Sequence, residues 1–226
     1  MRTTPHRQRP WPQRFALASL SLLLGMGLAR ADHPAAAPAD AAWILSKLVR
    51  PAPMQTSFVE LRGSKLLKTP LRIEGLYRRP DAATLVREVH APYAETTTIR
   101  AGEVVISRTG KAPRRFSLSR APELVALQAS FGALLTGDRA LLEQHYHVST
   151  QGSRQQWQMR LLPRDANLAA RVRDVMLYGR GAELRCIETR PVQGDLQRTL
   201  LAGAARAAVP GTTTAALTRL CTGASA

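Results

Sequence analysis

The chain has 226 residues, with 32 Lys and Arg against 16 Asp and Glu, a formal net charge of +16. So basic a chain would suit nucleic acid, but only 5% of its residues are aromatic and they are scattered, which argues against a base-stacking platform. The two cysteines, Cys186 and Cys221, form no C-x-x-C, so the sequence holds no dithiol redox motif.

Residues 1–31 read as a cleaved secretory signal peptide. Arg2, Arg7, Arg9 and Arg14 precede the apolar run "FALASLSLLLGMGL", and Ala29 and Ala31 supply a small-residue cleavage site. An uncleaved anchor is the alternative, but the 14-residue run falls short of the roughly 20 that span a bilayer. No cysteine follows the run, which argues against a lipid anchor. The expected mature protein is periplasmic and starts at Asp32. Its 195 residues carry 27 basic against 16 acidic groups, a net +11. That length fits one domain with a real core. In that compartment the charge fits an anionic membrane surface or an acidic partner better than nucleic acid, though a basic surface that merely aids solubility explains it as well.

Residues 32–40, "DHPAAAPAD", read as a linker. Asp40 then caps a short amphipathic helix with Trp43, Ile44, Lys47 and Leu48 at helical spacing, which stops at Pro51. From residue 55 to 118 come short runs rich in β-branched and aromatic residues: "SFVELR", "PLRIEGLYRR", "TLVREVHA", "TTTIRA", "EVVISRT" and "RRFSLS". Turn signals separate them at hairpin spacing, which predicts an antiparallel meander. The period then switches: "APELVALQASFGALLTGD" carries Leu124, Leu127, Phe131, Leu134 and Leu135 on one stripe and ends at Gly137, a helix over 122–137, and Asp138 starts a second helix. Strands resume in "HYHVSTQGSRQQWQMRLLP". A helical turn in "RDANLAARV" precedes three last strands, and residues 203–226 read as a small, polar tail with a short helix near 214–220. Cys186 and Cys221 read first as a disulfide tying this tail to a late strand; two free thiols are the alternative.

Catalytic signals are weak. His145 and His147 would share one face of a strand, but no third metal ligand stands at a recognisable spacing. There is no G-x-S-x-G, H-E-x-x-H or phosphate-cradling loop, and pairing Cys186 with a histidine competes with its disulfide. The sheet is more informative. Leu71, Ile73, Gly75 and Tyr77 alternate with Arg72, Glu74 and Arg78, with Leu76 out of pattern. Phe58, Leu85, Val89, Ile99, Val105, Phe116, Trp157, Met159 and Leu161 extend half-apolar patterns to other strands. A long sheet with one apolar face must bury it. Some ten strands against two or three short helices leave room for a cavity, and the same residues also allow a fully packed core.

This order of elements, and the stretch "FVELRGSKLLKTPLRIEGLYRRPDAATLVREV" with its strand from Gly75 to Arg79-Pro80, resembles the periplasmic outer-membrane lipoprotein carriers, the LolA-like family, over residues 43–202. The wording "SKLLKTPL" is closer to a divergent branch. The resemblance implies a mainly β (α+β) domain over 41–202: an unclosed antiparallel β-barrel, or half-barrel, with a helical lid. It implies an apolar cavity lined by the residues named above, without enzymatic activity or cofactor. The cargo would be a lipidated protein or amphiphilic lipid, taken from an inner-membrane transporter and passed to an outer-membrane acceptor by a monomer that touches the membrane transiently. Arg79 matches the family's lid-holding arginine. Where the family favours bulky aromatics after the proline, this chain has Ala82, Ala83, Thr84 and Leu85, which implies a differently shaped mouth and makes a free glycolipid or acylated polyene a candidate cargo. A lipid-sensing regulator of envelope stress on the same half-barrel is the runner-up; those regulators add a C-terminal domain, for which 203–226 is too short. An enzyme acting on fatty or polyketide substrates is a third reading, disfavoured by the missing catalytic constellation.

Overall fold

The computed structural model describes residues 37–63, 69–118 and 132–223. Eleven strands make one antiparallel sheet: β1 (Met54–Arg62), β2 (Leu71–Arg79), β3 (Thr84–Ala91), β4 (Glu95–Arg100), β5 (Glu103–Arg108), β6 (Lys111–Ser117), β7 (Tyr146–Gly152), β8 (Trp157–Pro163), β9 (Val172–Arg180), β10 (Glu183–Pro191) and β11 (Gln197–Leu201). Their spatial order is β6-β5-β4-β3-β2-β1-β11-β10-β9-β8-β7. Two meanders therefore meet where β1 pairs with β11, and the consecutive strands β6 and β7 lie at opposite edges. The sheet is not closed, as the resemblance implied.

Helix α1 (Ala41–Leu48) starts where Asp40 Oδ1 accepts the Trp43 N–H at 2.7 Å, and it buries Ile44, Leu45 and Leu48. Residues 132–136 are helical, and α2 (Arg139–His145) follows with Asp138 as its cap. Both helix starts follow the sequence expectation. Of the expected 122–137 helix, residues 122–131, with Leu124, Leu127 and Phe131, lie outside the described residues. His145 ends α2 instead of beginning β7, so it and His147 do not share a strand face. The side chain of residue 145 belongs to the helical period because the Tyr146 N–H still bonds back to Leu142.

Strand registry sorts the side chains into two faces. Phe58 pairs with Gly75 and Leu201, Gly75 with Val89, and Leu177 with Ile187 and Met159, so these residues share the inner face. There Phe58, Ile73, Val89, Trp157, Met159, Leu161, Leu177, Ile187 and Leu201 form one core with α1, Leu134 and Leu142. Further out, Ile99, Val104 and Leu118 form a smaller cluster with Leu85, Ile106 and Phe116 packed against it.

The outer face is buried as well. Val59, Leu61, Tyr178, Cys186 and Leu200 pack against α4 (Ala202–Ala207) and α5 (Thr214–Thr222), which bury Ala204, Ala205, Leu217 and Cys221. The short α3 (Ala166–Ala169) caps the β8–β9 connection. Residues read as a small polar tail are thus a second layer: alanines lie close to a sheet where larger side chains would not, and they carry little sequence signal. Arg198 bonds Glu188 at 2.6 Å and Thr218 of α5 at 3.0 Å, and Cys186 and Cys221 are joined in a disulfide with Cα atoms 4.9 Å apart. The residues read as a linker are also tied down: the Ala39 N–H bonds Gly152 at 3.2 Å, and Arg154 returns a bond to Ala37 at 2.9 Å.

Candidate functional site

A notch in the sheet opens a cavity. β11 pairs with β1 only from Phe58 to Arg62; Leu201 is its last residue, and Ala202, at φ +46°, turns the chain away into α4. A non-glycine residue in this left-handed region costs free energy and is held there by its surroundings. The first part of β1, Met54 to Ser57, therefore continues past β11 paired with β2 alone. In this notch lies a cavity of about 440 Å³, within the roughly 300–1,000 Å³ of small-molecule sites. Its apolar wall is Leu48, Met54, Leu76, Tyr77, Leu85, Leu134, Leu135, Leu184 and Leu201; its polar rim includes Arg50, Gln55, Ser57, Glu183 and Arg206. Residues from both registers of β1 and β2 contribute, so the cavity runs through the notch instead of staying on one face.

Of the expected cavity residues, Tyr77, Leu85 and Leu134 line this space. Phe58, Ile73, Val89, Trp157, Met159 and Leu161 are packed core, and Ile99 and Phe116 belong to the outer cluster. Two assignments are corrected. Leu71 is 37% exposed, because it begins β2 opposite the exposed Arg62, beyond the core. Val105 alternates with Val104, and it is Val104, paired with Ile99 and Phe116, that is buried. Leu48, Met54, Leu76, Leu135, Leu184 and Leu201 were missed as a group. Leu76 carried a signal, being the apolar residue out of pattern in β2; the others look like ordinary core positions because β11's early end is a tertiary fact.

Arginines fasten the cavity's rim. Arg50 donates from Nη1 to the carbonyls of Lys47 (2.9 Å) and Val49 (2.7 Å), which ends α1, and from Nη2 to Ala182 at 2.9 Å in the β9–β10 turn. Its backbone N–H donates to Leu135 at 3.0 Å, and its carbonyl accepts Arg79 Nη1 at 3.0 Å. The resemblance makes Arg79 a holder of the lid, whose helix was expected over 122–137. Among the described residues its partners are the carbonyls of Arg50 and, at 3.4 Å, Ala82, so it acts on that segment through Arg50. Ala82 and Ala83 are exposed in a turn held by Asp81, whose carboxylate accepts the Ala83 N–H at 2.8 Å and the Thr84 hydroxyl at 2.9 Å. These bonds hold the Asp81 carboxyl below its ordinary pKa. The two alanines are not in the cavity wall.

Beneath Tyr77 the inner face carries charge that the sequence did not reveal. The Tyr77 and Phe58 rings lie 4.6 Å apart, Arg87 sits 4.9 Å over Phe58, and Arg87 Nη2 donates to the buried Glu60 at 2.6 Å. Glu60 also bonds Arg62, and Glu95 connects Arg87 with Arg108. Burial first, then the Glu60 charge, raises the Tyr77 phenol above its ordinary pKa, while Arg87 opposes the shift. A second depression of about 430 Å³ at the far end of β3–β5 is lined by His90, whose Nε2 lies 3.7 Å from Glu88, and by Glu95 and Arg108, which pair with each other. Among the described residues no three His, Cys, Asp or Glu side chains are placed to hold a metal, and Cys186, in its disulfide, offers no nucleophilic thiol.

An unclosed antiparallel sheet, helices over its inner face and an apolar cavity at a notch define an open half-barrel. The chain belongs to the family described as outer membrane lipoprotein carrier protein LolA-like, whose model matches residues 33–224. No curated protein matches it. Similar solved structures include the LolA superfamily protein NE2245 from Nitrosomonas europaea, at 12% identity over 73% of this chain and 91% of that one, with a TM-score of 0.37. The MucA/MucB complex of Pseudomonas aeruginosa is 17% identical over 72% of this chain and 56% of that one (TM-score 0.38), and LprF from Mycobacterium bovis 12% identical over 74% and 94% (TM-score 0.34).

Proposed function

We propose that this protein is a periplasmic carrier that takes the acyl portion of a lipidated protein or other amphiphilic lipid into the notch cavity and ferries it from the inner toward the outer membrane. The observation that carries this reading is the cavity itself: leucine-rich, at the notch where β11 ends, and bounded by a strand end and helix ends joined through single hydrogen bonds. Membership in the LolA-like family supports it. Each methylene buried is worth about 0.8 kcal/mol, so eight of them contribute about 6 kcal/mol, enough to hold a chain in water yet small enough to surrender it to an acceptor. The rim bonds, Arg79 to Arg50 and Arg50 to Leu135, are each worth about 1 kcal/mol net, which lets the mouth open at modest cost.

The test is to purify the protein from the envelope of its own host, extract it with organic solvent and identify the extract by mass spectrometry. A stoichiometric amphiphile is expected, with the mature chain in the periplasmic fraction starting at Asp32. A protein that yields no amphiphile and takes up no fluorescent acyl probe would overturn the carrier reading.

A further inference from the structure

The polar rim is electrically one-sided. Glu183, its one acid among the described residues, is already engaged: Oε1 accepts the Gly203 N–H at 2.7 Å, and Oε2 lies 3.5 Å from Arg185 Nη1. Three guanidinium groups bound the same opening or brace it. Arg50 and Arg79 direct N–H groups to backbone carbonyls, and among the described residues neither has a carboxylate partner. Arg206 lines the cavity from α4, is exposed, and has no carboxylate partner among the described residues. Several arginines of the sheet, among them Arg62, Arg87, Arg108, Arg160 and Arg198, sit on a carboxylate instead. An apolar wall of low dielectric beside uncompensated cations focuses a positive potential at the mouth. A guanidinium with free donors matches a planar or tetrahedral oxyanion.

We infer that the cargo is an anionic amphiphile: its chain occupies the leucine-lined cavity and its carboxylate or phosphate headgroup is received by Arg206, in the field of Arg50 and Arg79. This rests on the carrier reading and narrows it, because a neutral glyceride headgroup would leave Arg206 unpaired at the rim. Arg206 selects by charge, and among the described residues its side chain makes no hydrogen bond or ion pair, so its replacement separates headgroup recognition from chain uptake.

The experiment uses the mature protein loaded with a neutral, polarity-sensitive dye such as Nile red, displaced at low salt by four ligands of one chain length: dodecanoate, dodecyl phosphate, dodecanol and dodecyltrimethylammonium. At least one anion should compete about ten-fold more strongly than dodecanol, the value of a charge-assisted hydrogen bond, and the ammonium should be weakest. The stronger anion identifies the headgroup as carboxylate or phosphate. Arg206→Glu should abolish the advantage and leave dodecanol displacement within about two-fold, while Arg206→Lys should keep most of it, as expected of a mainly electrostatic contact. Equal competition by all four overturns the anionic headgroup and leaves the carrier intact. Anion preference unchanged in Arg206→Glu overturns the role of Arg206. Failure of both dye and ligands to bind overturns this inference together with the carrier reading.

Discussion

Tyr77 joins the cavity wall to the charges beneath it, and its chemistry follows from that position. Its phenol is raised above about 10, the value of an unfolded tyrosine, mainly by burial. The folded state therefore keeps the proton that the unfolded chain loses. The associated stability is fully present below about pH 10 and is lost as pH rises through the folded value. Urea midpoints should fall between pH 9 and pH 11, and Tyr77→Phe should flatten that fall. Gly179 illustrates steric necessity. The indole of Trp157, 1% exposed, lies on this glycine so closely that a Cβ would meet Cζ2 at 2.0 Å, and the Trp157 Nε1–H reaches the Gly181 carbonyl at 2.9 Å. Gly179→Ala should destabilise by about 1–3 kcal/mol, as overpacking does, and Trp157→Ala by about 3–5 kcal/mol as a cavity. Chemical denaturation of both variants checks this; native stability in the Gly179→Ala variant would mean the ring can move aside.

Two elements are held by bonds that pattern could not announce. The exit of α1 is fastened by Arg79 onto the Arg50 carbonyl, and Arg50 in turn fastens the 132–136 turn through Leu135. Arg79→Leu should leave α1 formed, since Asp40 caps its start, while amide exchange quickens around residues 49–51 and cargo is both loaded and released faster; unchanged exchange and release would show that the rim does not depend on this contact. At the other end, α5 covers the outer face under the disulfide and the Arg198–Thr218 bond. Closing a 35-residue separation contributes roughly 2–5 kcal/mol in the loop-entropy view. Replacing both cysteines by alanine should lower stability by that amount and expose α5 to proteolysis first, because the disulfide and the Arg198–Thr218 bond fasten it to the sheet.

On the scale of the whole molecule, an open sheet has two exposed edges, each a template for pairing with another chain. β6, "KAPRRFS", places Lys111, Pro113, Arg114 and Arg115 on one such edge, all exposed. Light scattering should report association when Lys111, Arg114 and Arg115 are replaced together by threonine, and a monodisperse triple variant would assign the edge's protection elsewhere. Much of the architecture was legible. The alternation of Ile73, Gly75 and Tyr77, the Asp caps at residues 40 and 138, and the spacing of turn residues depend on contacts between near neighbours, which local pattern records. Helix α4 was not legible, because "AGAARA" buries alanines by closeness to the sheet and not by apolar bulk. The Glu60–Arg87–Glu95–Arg108 ladder was not legible either, since its members lie on four strands and meet only across the registry. By itself the sequence determined that a long antiparallel sheet with an apolar inner face would form beneath a few helices, because side-chain periodicity is a property of the chain. Only the tertiary structure decided where that face is packed and where it is left hollow. That depends on β11 stopping at Leu201 while β1 runs on to Met54, a mismatch between strands that lie far apart in sequence.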